Sequence, residues 1–155
     1  GIAIVDLDQG AVTGQIEFPP IPRAGNAAVV APRTLAYGLS GLQFITTGGT
    51  IWKVIGDQAI PRESSPVTGQ QANGAQISLG NPSQMLASAD FRQILVLNTS
   101  GTAYLYDALA DTFTTSRPLF SNPLISYYGP LALAPDGSFM LANGLILNNS
   151  LTVIG

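Results

Sequence analysis

Carboxylates are the side chains whose spacing comes closest to a functional motif in this 155-residue sequence. There are nine Asp and Glu against six Lys and Arg, and neither His nor Cys occurs. Without these two residue types there is no imidazole general base, no thiolate nucleophile and no common transition-metal ligand. A Ser-His-Asp triad and a Cys/His zinc site are therefore excluded for these residues, and no cofactor is predicted.

The amino-terminal carboxylates have the spacing of a calcium loop. Asp6, Asp8 and Glu17 stand at positions 1, 3 and 12, as in an EF-hand. Ala11 replaces the glycine that an EF-hand has at position 6, and the residues up to Glu17 read as a strand. We therefore predict a β-hairpin. A weaker calcium contact through Asp6 and Asp8 is the alternative, and no other metal site is expected.

The remaining charged residues fit structural roles better than catalytic ones. Asp107, Asp111 and Asp136 stand in short polar segments between apolar runs, where aspartate commonly accepts hydrogen bonds from turn amides. The only two glutamates lie in separate repeats, which argues against the paired carboxylates of a glycoside hydrolase. Lys53 follows Trp52 in mid-strand, so we expect it on a solvated strand face.

The elements that must position these residues are short strands. In residues 93–117 an apolar run, a Thr-Ser-Gly turn, a second apolar run, an Asp-bounded turn and a mostly polar segment follow one another. This is the pattern of a β-meander. Similar hairpins are predicted along the whole chain, and no helix is expected.

Composition agrees with an all-β domain that buries its strands deeply. Hydrophobic residues make up 46% of the chain and charged residues only 10%, which favours strands covered on both faces. No run approaches the ~18 apolar residues of a membrane span. The small number of basic residues argues against nucleic acid as a partner.

Internal repeats organise the strands. Residues 49–54 align with 101–106, a shift of 52 positions, and residues 86–90 align with 132–136, a shift of 46. Residues 5–7 align with 106–108, a shift of 101, or about two periods. The first alignment places Trp52 on Tyr104. A period of 46 to 52 residues holding four short antiparallel strands is typical of a β-propeller blade. A β-sandwich, barrel or solenoid is the alternative.

The predicted organisation is a single β-propeller-type domain over residues 1–155. It begins with a partial blade at 1–18, continues with blades at 34–68 and 80–120, and ends with a partial blade at 130–155. About three four-stranded blades are fewer than the 4 to 8 of a closed propeller.

The strings IAIVDLDQG, LALAPDGSF and YLYDALADTFTTSR resemble repeats of bacterial secreted β-propellers of the YVTN and quinoprotein-like type, uncharacterised exported propeller proteins among them. The resemblance implies a propeller fold and an extracellular or periplasmic location. It implies no catalytic residue, because the matching motifs are turns between strands.

Closure of the ring needs more strands than the sequence supplies. We expect either the missing blades of a longer polypeptide or association with another chain. Gly1 is not an initiator Met, so we expect a processed product or a piece of a longer chain. Two copies would give six blades, with residues 2–18 of one copy completing the blade begun by residues 131–142 of the other.

The long loops and one connector hold the residues that we expect to bind a partner: Arg23, Arg62, Glu63, Tyr127 and Tyr128. The predicted function is that of a non-enzymatic binding or structural module of an exported bacterial protein, acting through propeller loops or blade edges. Its expected partner is a protein, either a second copy or the remaining blades. The alternative is a fragment of a quinoprotein-like or lactonase-like enzyme whose catalytic residues lie outside this chain.

Overall fold

The computed structural model describes residues 1–18, 32–46, 51–61, 82–120 and 131–155. Within these ranges all regular secondary structure consists of β-strands, so the all-β prediction is confirmed. The strands in chain order are β1 (Ile2–Asp6), β2 (Ala11–Ile16), β3 (Pro32–Gly38), β4 (Gly41–Thr46), β5 (Ile51–Ile55), β6 (Gln58–Pro61), β7 (Pro82–Ala87), β8 (Gln93–Asn98), β9 (Thr102–Asp107), β10 (Thr112–Pro118), β11 (Leu131–Leu133), β12 (Phe139–Ala142) and β13 (Leu145–Asn148).

The strands form four antiparallel sheets whose strand order follows the sequence. Sheet I is β1-β2, sheet II is β3-β4-β5-β6, sheet III is β7-β8-β9-β10 and sheet IV is β11-β12-β13. Residues 152–155 then run back along β13, with a bridge from Leu147 to Val153. The turn between β12 and β13 is the predicted Asn143-Gly144, with φ of 49° and 81°.

The pairing register repeats at the predicted spacings. Phe44 pairs with Trp52 in sheet II, and Val96 pairs with Tyr104 in sheet III, each residue 52 positions later. At the shift of 46, the pair Met85–Val96 recurs as Leu131–Ala142 in sheet IV. Repeated sequence therefore means repeated backbone pairing, because the turn lengths set the register of each hairpin.

Sheets II, III and IV stack in chain order through apolar faces. Successive residues of a strand point to opposite faces, and β8 uses both. Ile94 and Val96 pack toward sheet II, whereas Leu95 and Leu97 pack toward sheet IV, and all of them are fully buried. Each such side chain contributes roughly 1.5–3 kcal/mol by leaving water. The continuous apolar run in β8 is thus explained by two covered faces.

In the part of the chain that the structure describes, sheet I contacts sheet II at the base of its hairpin. Ile16 and Phe18 pack on Phe44 and Trp52, and the rings of Phe18 and Phe44 lie 5.1 Å apart. A parallel bridge joins Glu17, just past the end of β2, to the first residue of β6. The rest of this hairpin extends beyond that contact, and its apolar residues are exposed: Ile4, Val5, Leu7 and Val12.

Sheets II and III approach closely at Gly38, the last residue of β3. A Cβ placed on Gly38 would lie 2.8 Å from the Cβ of Ala108 and 3.2 Å from Cδ1 of Ile94. The backbone φ of Gly38 is not in the left-handed region. Glycine is needed there for space rather than for conformation.

We expect Gly38→Ala to lower the free energy of unfolding by about 1–3 kcal/mol, the usual effect of overpacking a filled site. Gly14→Ala is the matched control, because Gly14 also lies in a strand and its Cβ would meet only Ile4, at 3.4 Å. That control should be neutral or slightly stabilising. Urea unfolding monitored by tryptophan fluorescence measures both, and equal effects of the two substitutions would contradict the close approach of the sheets.

Candidate functional site

Every aspartate of the chain lies in or beside a hairpin turn. In sheets II, III and IV, the turns between the first and second strands contact one another in the order of the sheets. The Leu39 amide donates to the Phe91 carbonyl at 2.8 Å, and the Asp90 amide donates to the Pro135 carbonyl at 3.3 Å. One end of these three sheets is therefore a continuous surface of turns rich in carboxylates.

Asp6 and Asp107 build the same turn in sheets I and III. Oδ1 of Asp6 accepts the amides two and three residues ahead, at 2.9 and 3.0 Å. Oδ1 of Asp107 accepts the corresponding amides, both at 2.9 Å. The predicted turn role of Asp107 is confirmed, and so is the predicted hairpin at Asp6. In the ranges that the structure describes, no group of three or more Asp, Glu, His or Cys is placed to hold a metal ion, and the calcium contact of Asp6 and Asp8 stays a prediction.

Asp90 and Asp136 organise the turns that open sheets III and IV. The Ser88 hydroxyl donates to Asp90 at 2.6 Å, and the Ser138 hydroxyl donates to Asp136 at the same distance. These hydroxyl hydrogen bonds, together with turn amides, hold the pKa of each carboxyl below its usual value of 3.8. Both carboxylates thus stay ionised in the native turn.

A polar cluster joins sheet II to sheet III near this turn surface. Nζ of Lys53 lies 3.1 Å from Oδ2 of Asp111, and the Tyr106 hydroxyl donates to the other oxygen of that carboxylate. The Tyr106 hydroxyl also lies 2.9 Å from Oγ of Ser40, which accepts from the Gln43 amide at 3.2 Å. The cluster spans two strands and a turn of sheet II and one strand and a turn of sheet III.

One prediction is wrong here. Lys53 was expected on a solvated strand face, but its side chain is only 22% exposed and pairs with Asp111 across the sheet interface. The carboxylate of Asp111, for which a turn-capping role was predicted, binds Lys53 and Tyr106. The cause is the stacking of sheets II and III, which brings a turn of one sheet onto a strand of the other.

The cluster is suited to holding the sheets together rather than to chemistry. Ser40 has no contact with the Lys53 amine among the described hydrogen bonds, and its hydroxyl is engaged by Tyr106 and Gln43. A nucleophilic serine needs a base within hydrogen-bond reach. The ion pair and the hydroxyl chain satisfy polar groups that the stacking of sheets would otherwise leave without water.

An apolar groove lies on the outer face of sheet IV, the face turned away from sheet III. Its volume is about 560 Å³. Only apolar residues line it: Ala132, Leu133, Ala134, Phe139, Met140, Leu141, Ile146 and Ile154. Phe139 is 55% exposed and Ile146 is 43% exposed. A smaller cavity of about 320 Å³ lies where the end of β2 meets β6, beside Glu17 and Phe18.

The residues predicted to bind a partner, Arg23, Arg62, Glu63, Tyr127 and Tyr128, all lie outside the described residues. The groove on sheet IV was not predicted. Its signal is present in the sequence, since β12 and β13 are apolar on both faces although no further sheet follows them among the described residues. The binding residues were predicted on loops and a connector, so the strand faces were not considered.

Comparisons with known proteins give a fold and no family. No family model and no curated protein matches the sequence. Among solved structures, the chain is similar to hydrazine synthase from Kuenenia stuttgartiensis, with a TM-score of 0.59 and 18% identity. The match covers 97% of this chain and 41% of that one, and hydrazine synthase contains a β-propeller.

The fold is all-β and propeller-like. At this level of identity the likeness supports the architecture alone, so the predicted relation to secreted bacterial repeats stays a prediction. The described residues include no helix with the length and apolarity to cross a membrane.

The Asp107 turn gives a direct test of the role of its carboxylate. Asp107→Ala should lower the free energy of unfolding by about 1 kcal/mol, as when other side-chain caps of backbone amides are removed. Asp107→Asn retains the accepting oxygen and should stay close to the native protein. Chemical denaturation measures both; an equal loss in the two variants would show that the accepting oxygen is not what matters.

Acid titration tests the Asp90 turn. The pKa of the Asp90 carboxyl in the native protein lies below 3.8. The stability that this carboxylate contributes is therefore present above the unfolded-state pKa and is lost as pH falls through the native pKa. Ser88→Ala should raise the pKa of Asp90 toward 3.8, as read from its carboxyl carbon shift by NMR. Ser138→Ala, the control, should move the pKa of Asp136 and leave that of Asp90 unchanged. A shift of both by either variant would argue against local control.

Proposed function

We propose that this chain is a non-enzymatic assembly module of an exported bacterial protein, and that it binds a second copy of itself through the outer face of sheet IV. The occupant of that face is the exposed hairpin of sheet I from the second copy. The location outside the cytoplasm rests on the resemblance of the repeats to secreted propellers.

The main support for this proposal is a difference in burial between equivalent faces of sheets III and IV. The pair Leu95–Leu105 in sheet III is buried against sheet IV, with Leu105 only 3% exposed. At the shift of 46 Leu95 corresponds to Leu141, which pairs with Ile146 as Leu95 pairs with Leu105. The pair Leu141–Ile146 lies in the open groove. A face that is covered in one sheet is thus uncovered in the next, which is typical of an interaction surface.

The lining favours a protein surface over a small ligand. Small-molecule sites usually combine an apolar pocket with a few precisely placed polar groups that fix orientation, and every residue lining the groove has an apolar side chain. Both apolar faces of sheet III pack against another β-sheet. The same type of occupant fits this one.

Sheet I supplies the complementary surface. Apart from its base, this hairpin exposes large apolar residues, Val12 and Leu7 among them. The hairpin and the groove belong to the first and last sheets of the chain, so contact between two copies is heterologous, head to tail. The strand complementation expected from the sequence has no free edge at β12, because β13 already pairs there. Packing of faces replaces it in this proposal.

Hydrodynamic measurements test the proposal. We expect self-association that Phe139→Ser and Ile146→Ser each weaken about tenfold, corresponding to roughly 1.5 kcal/mol of lost apolar burial. Val12→Ser should weaken it similarly, because it lies on the other partner surface. Ile55→Ser is the control, since Ile55 is equally exposed but belongs to sheet II.

Analytical ultracentrifugation over a concentration series is the measurement. A monomer at every soluble concentration would overturn the proposal. Weakening by the sheet IV substitutions with no effect of Val12→Ser would overturn the assignment of the hairpin as occupant. Equal weakening by Ile55→Ser would show that association is nonspecific.

A further inference from the structure

We infer that the cavity between the end of β2 and β6 is a binding site for an alkylammonium group, a cationic amine carried on an apolar stem. Free amines and the lysine side chains of a partner share this chemistry. The site is separate from the apolar face of sheet IV and does not depend on the proposed self-association.

Two segments that approach each other as parallel strands build this cavity. The Ala59 amide of β6 donates to the Glu17 carbonyl, just past the end of β2, at 3.3 Å. Phe18 follows, and its ring lies 5.1 Å from the ring of Phe44 and 6.3 Å from that of Trp52. The cavity therefore has one wall fixed to the core of sheet II and another that belongs to sheet II itself.

The sequence explains why this parallel pairing does not continue. In a parallel ladder the Ala59 carbonyl would accept from the amide of residue 19, and the amide of residue 61 would form the next hydrogen bond. Pro19 and Pro61 occupy these positions, and proline has no N–H to donate. The ladder hydrogen bond that would engage the Ala59 carbonyl thus cannot form, and this oxygen is directed at the cavity.

The lining of the cavity combines apolar walls with polar groups. Its volume is about 320 Å³, at the lower end of the range for small-ligand sites and close to the room that one long side chain needs. The groove on sheet IV, in contrast, has apolar side chains alone. The residues that line the smaller cavity are Glu17, Phe18, Gln58, Ala59, Ile60 and Pro61.

The polar groups of the lining favour a cationic hydrogen-bond donor. No described side chain forms an ion pair or hydrogen bond with the Glu17 carboxylate. The Gln58 amide oxygen and the Ala59 carbonyl are further acceptors at the same cavity. An ammonium group has three donors and no acceptor, so it can use several of these oxygens at once.

The apolar part of the lining requires a stem on that cation. Phe18, Ile60 and Pro61 offer hydrocarbon surface that a bare metal ion or ammonium ion would leave wet. A short alkyl chain covers such surface while its charged end stays near the carboxylate, as the stem of a lysine does at protein surfaces. The chemistry of the cavity therefore fits an alkylammonium group.

An NMR titration with n-butylammonium chloride tests the inference on the full 155-residue chain. We expect saturable shifts of the Phe18 and Ala59 amide signals with a Kd on the order of 1 mM. Binding should weaken as ionic strength is raised, because salt screens the carboxylate. The neutral probe 1-butanol has the same chain length and should bind about fivefold more weakly.

Matched variants separate the contribution of charge from that of apolar contact. Glu17→Gln should weaken butylammonium binding about fivefold and leave 1-butanol binding unchanged, because only the cation loses an attraction. Asp57→Asn is the control, since Asp57 is also an exposed acid next to β6 but does not line the cavity. Ile60→Ser should weaken both probes, because each loses apolar contact with the wall.

Three outcomes would overturn the inference: no saturable shift at Phe18 or Ala59, equal binding of 1-butanol and butylammonium, or an equal effect of Asp57→Asn and Glu17→Gln. A blocked tripeptide with lysine at its centre distinguishes the two sources of the ligand. Tighter binding of this peptide than of butylammonium would support a lysine of a partner protein, whereas binding of butylammonium alone would support a free amine.

The amine site and the proposed self-association can fail separately. Phe139→Ser alters the face of sheet IV and should leave butylammonium binding intact. Glu17→Gln should leave self-association intact. Loss of butylammonium binding in Phe139→Ser would show that the two sites are not independent, and would overturn that part of the inference.

Discussion

Burial of both faces of the central strands is the constraint on which the rest of this structure depends. A strand such as β8, apolar at four consecutive positions, must be covered on each side by another sheet. That requirement stacks sheet III between sheets II and IV. It also accounts for the low content of charged residues, since a sheet with no solvated face has few positions where a charge is tolerated.

Because both faces of the central strands are buried, polar side chains are concentrated at the ends of the strands. Aspartates occupy the hairpin turns, where their oxygens meet backbone amides that no strand partner can satisfy. The ion pair of Lys53 with Asp111 and its link to the buried Tyr106 hydroxyl lie where sheets II and III meet near those turns. Polar groups here support the stacking and define its offset.

Much of the fold could be predicted from the sequence. The features that could not be predicted depend on how one sheet packs against the next. Turn chemistry at Asp107 and at Asn143-Gly144, the strand pattern and the register repeats follow from local preferences and loop lengths. The partner of Lys53 did not follow, because it depends on how one sheet is offset against the next. The open groove at Phe139 and Ile146 shares its apolar pattern with buried strands, so sequence alone does not separate a covered face from a docking face.

The sequential order of strands within each sheet has a kinetic consequence. Within each of the four sheets, every described pairing joins strands adjacent in the chain, so loop-closure entropy is low and each sheet can form soon after its last strand is synthesised. Stacking then proceeds from the amino terminus, as in repeat proteins where each unit contacts only its neighbours. During that growth the newest sheet always presents an uncovered apolar face until its successor arrives. The ribosome-bound intermediate is therefore most exposed to misassociation at its growing end, where chaperones that recognise apolar strands would act.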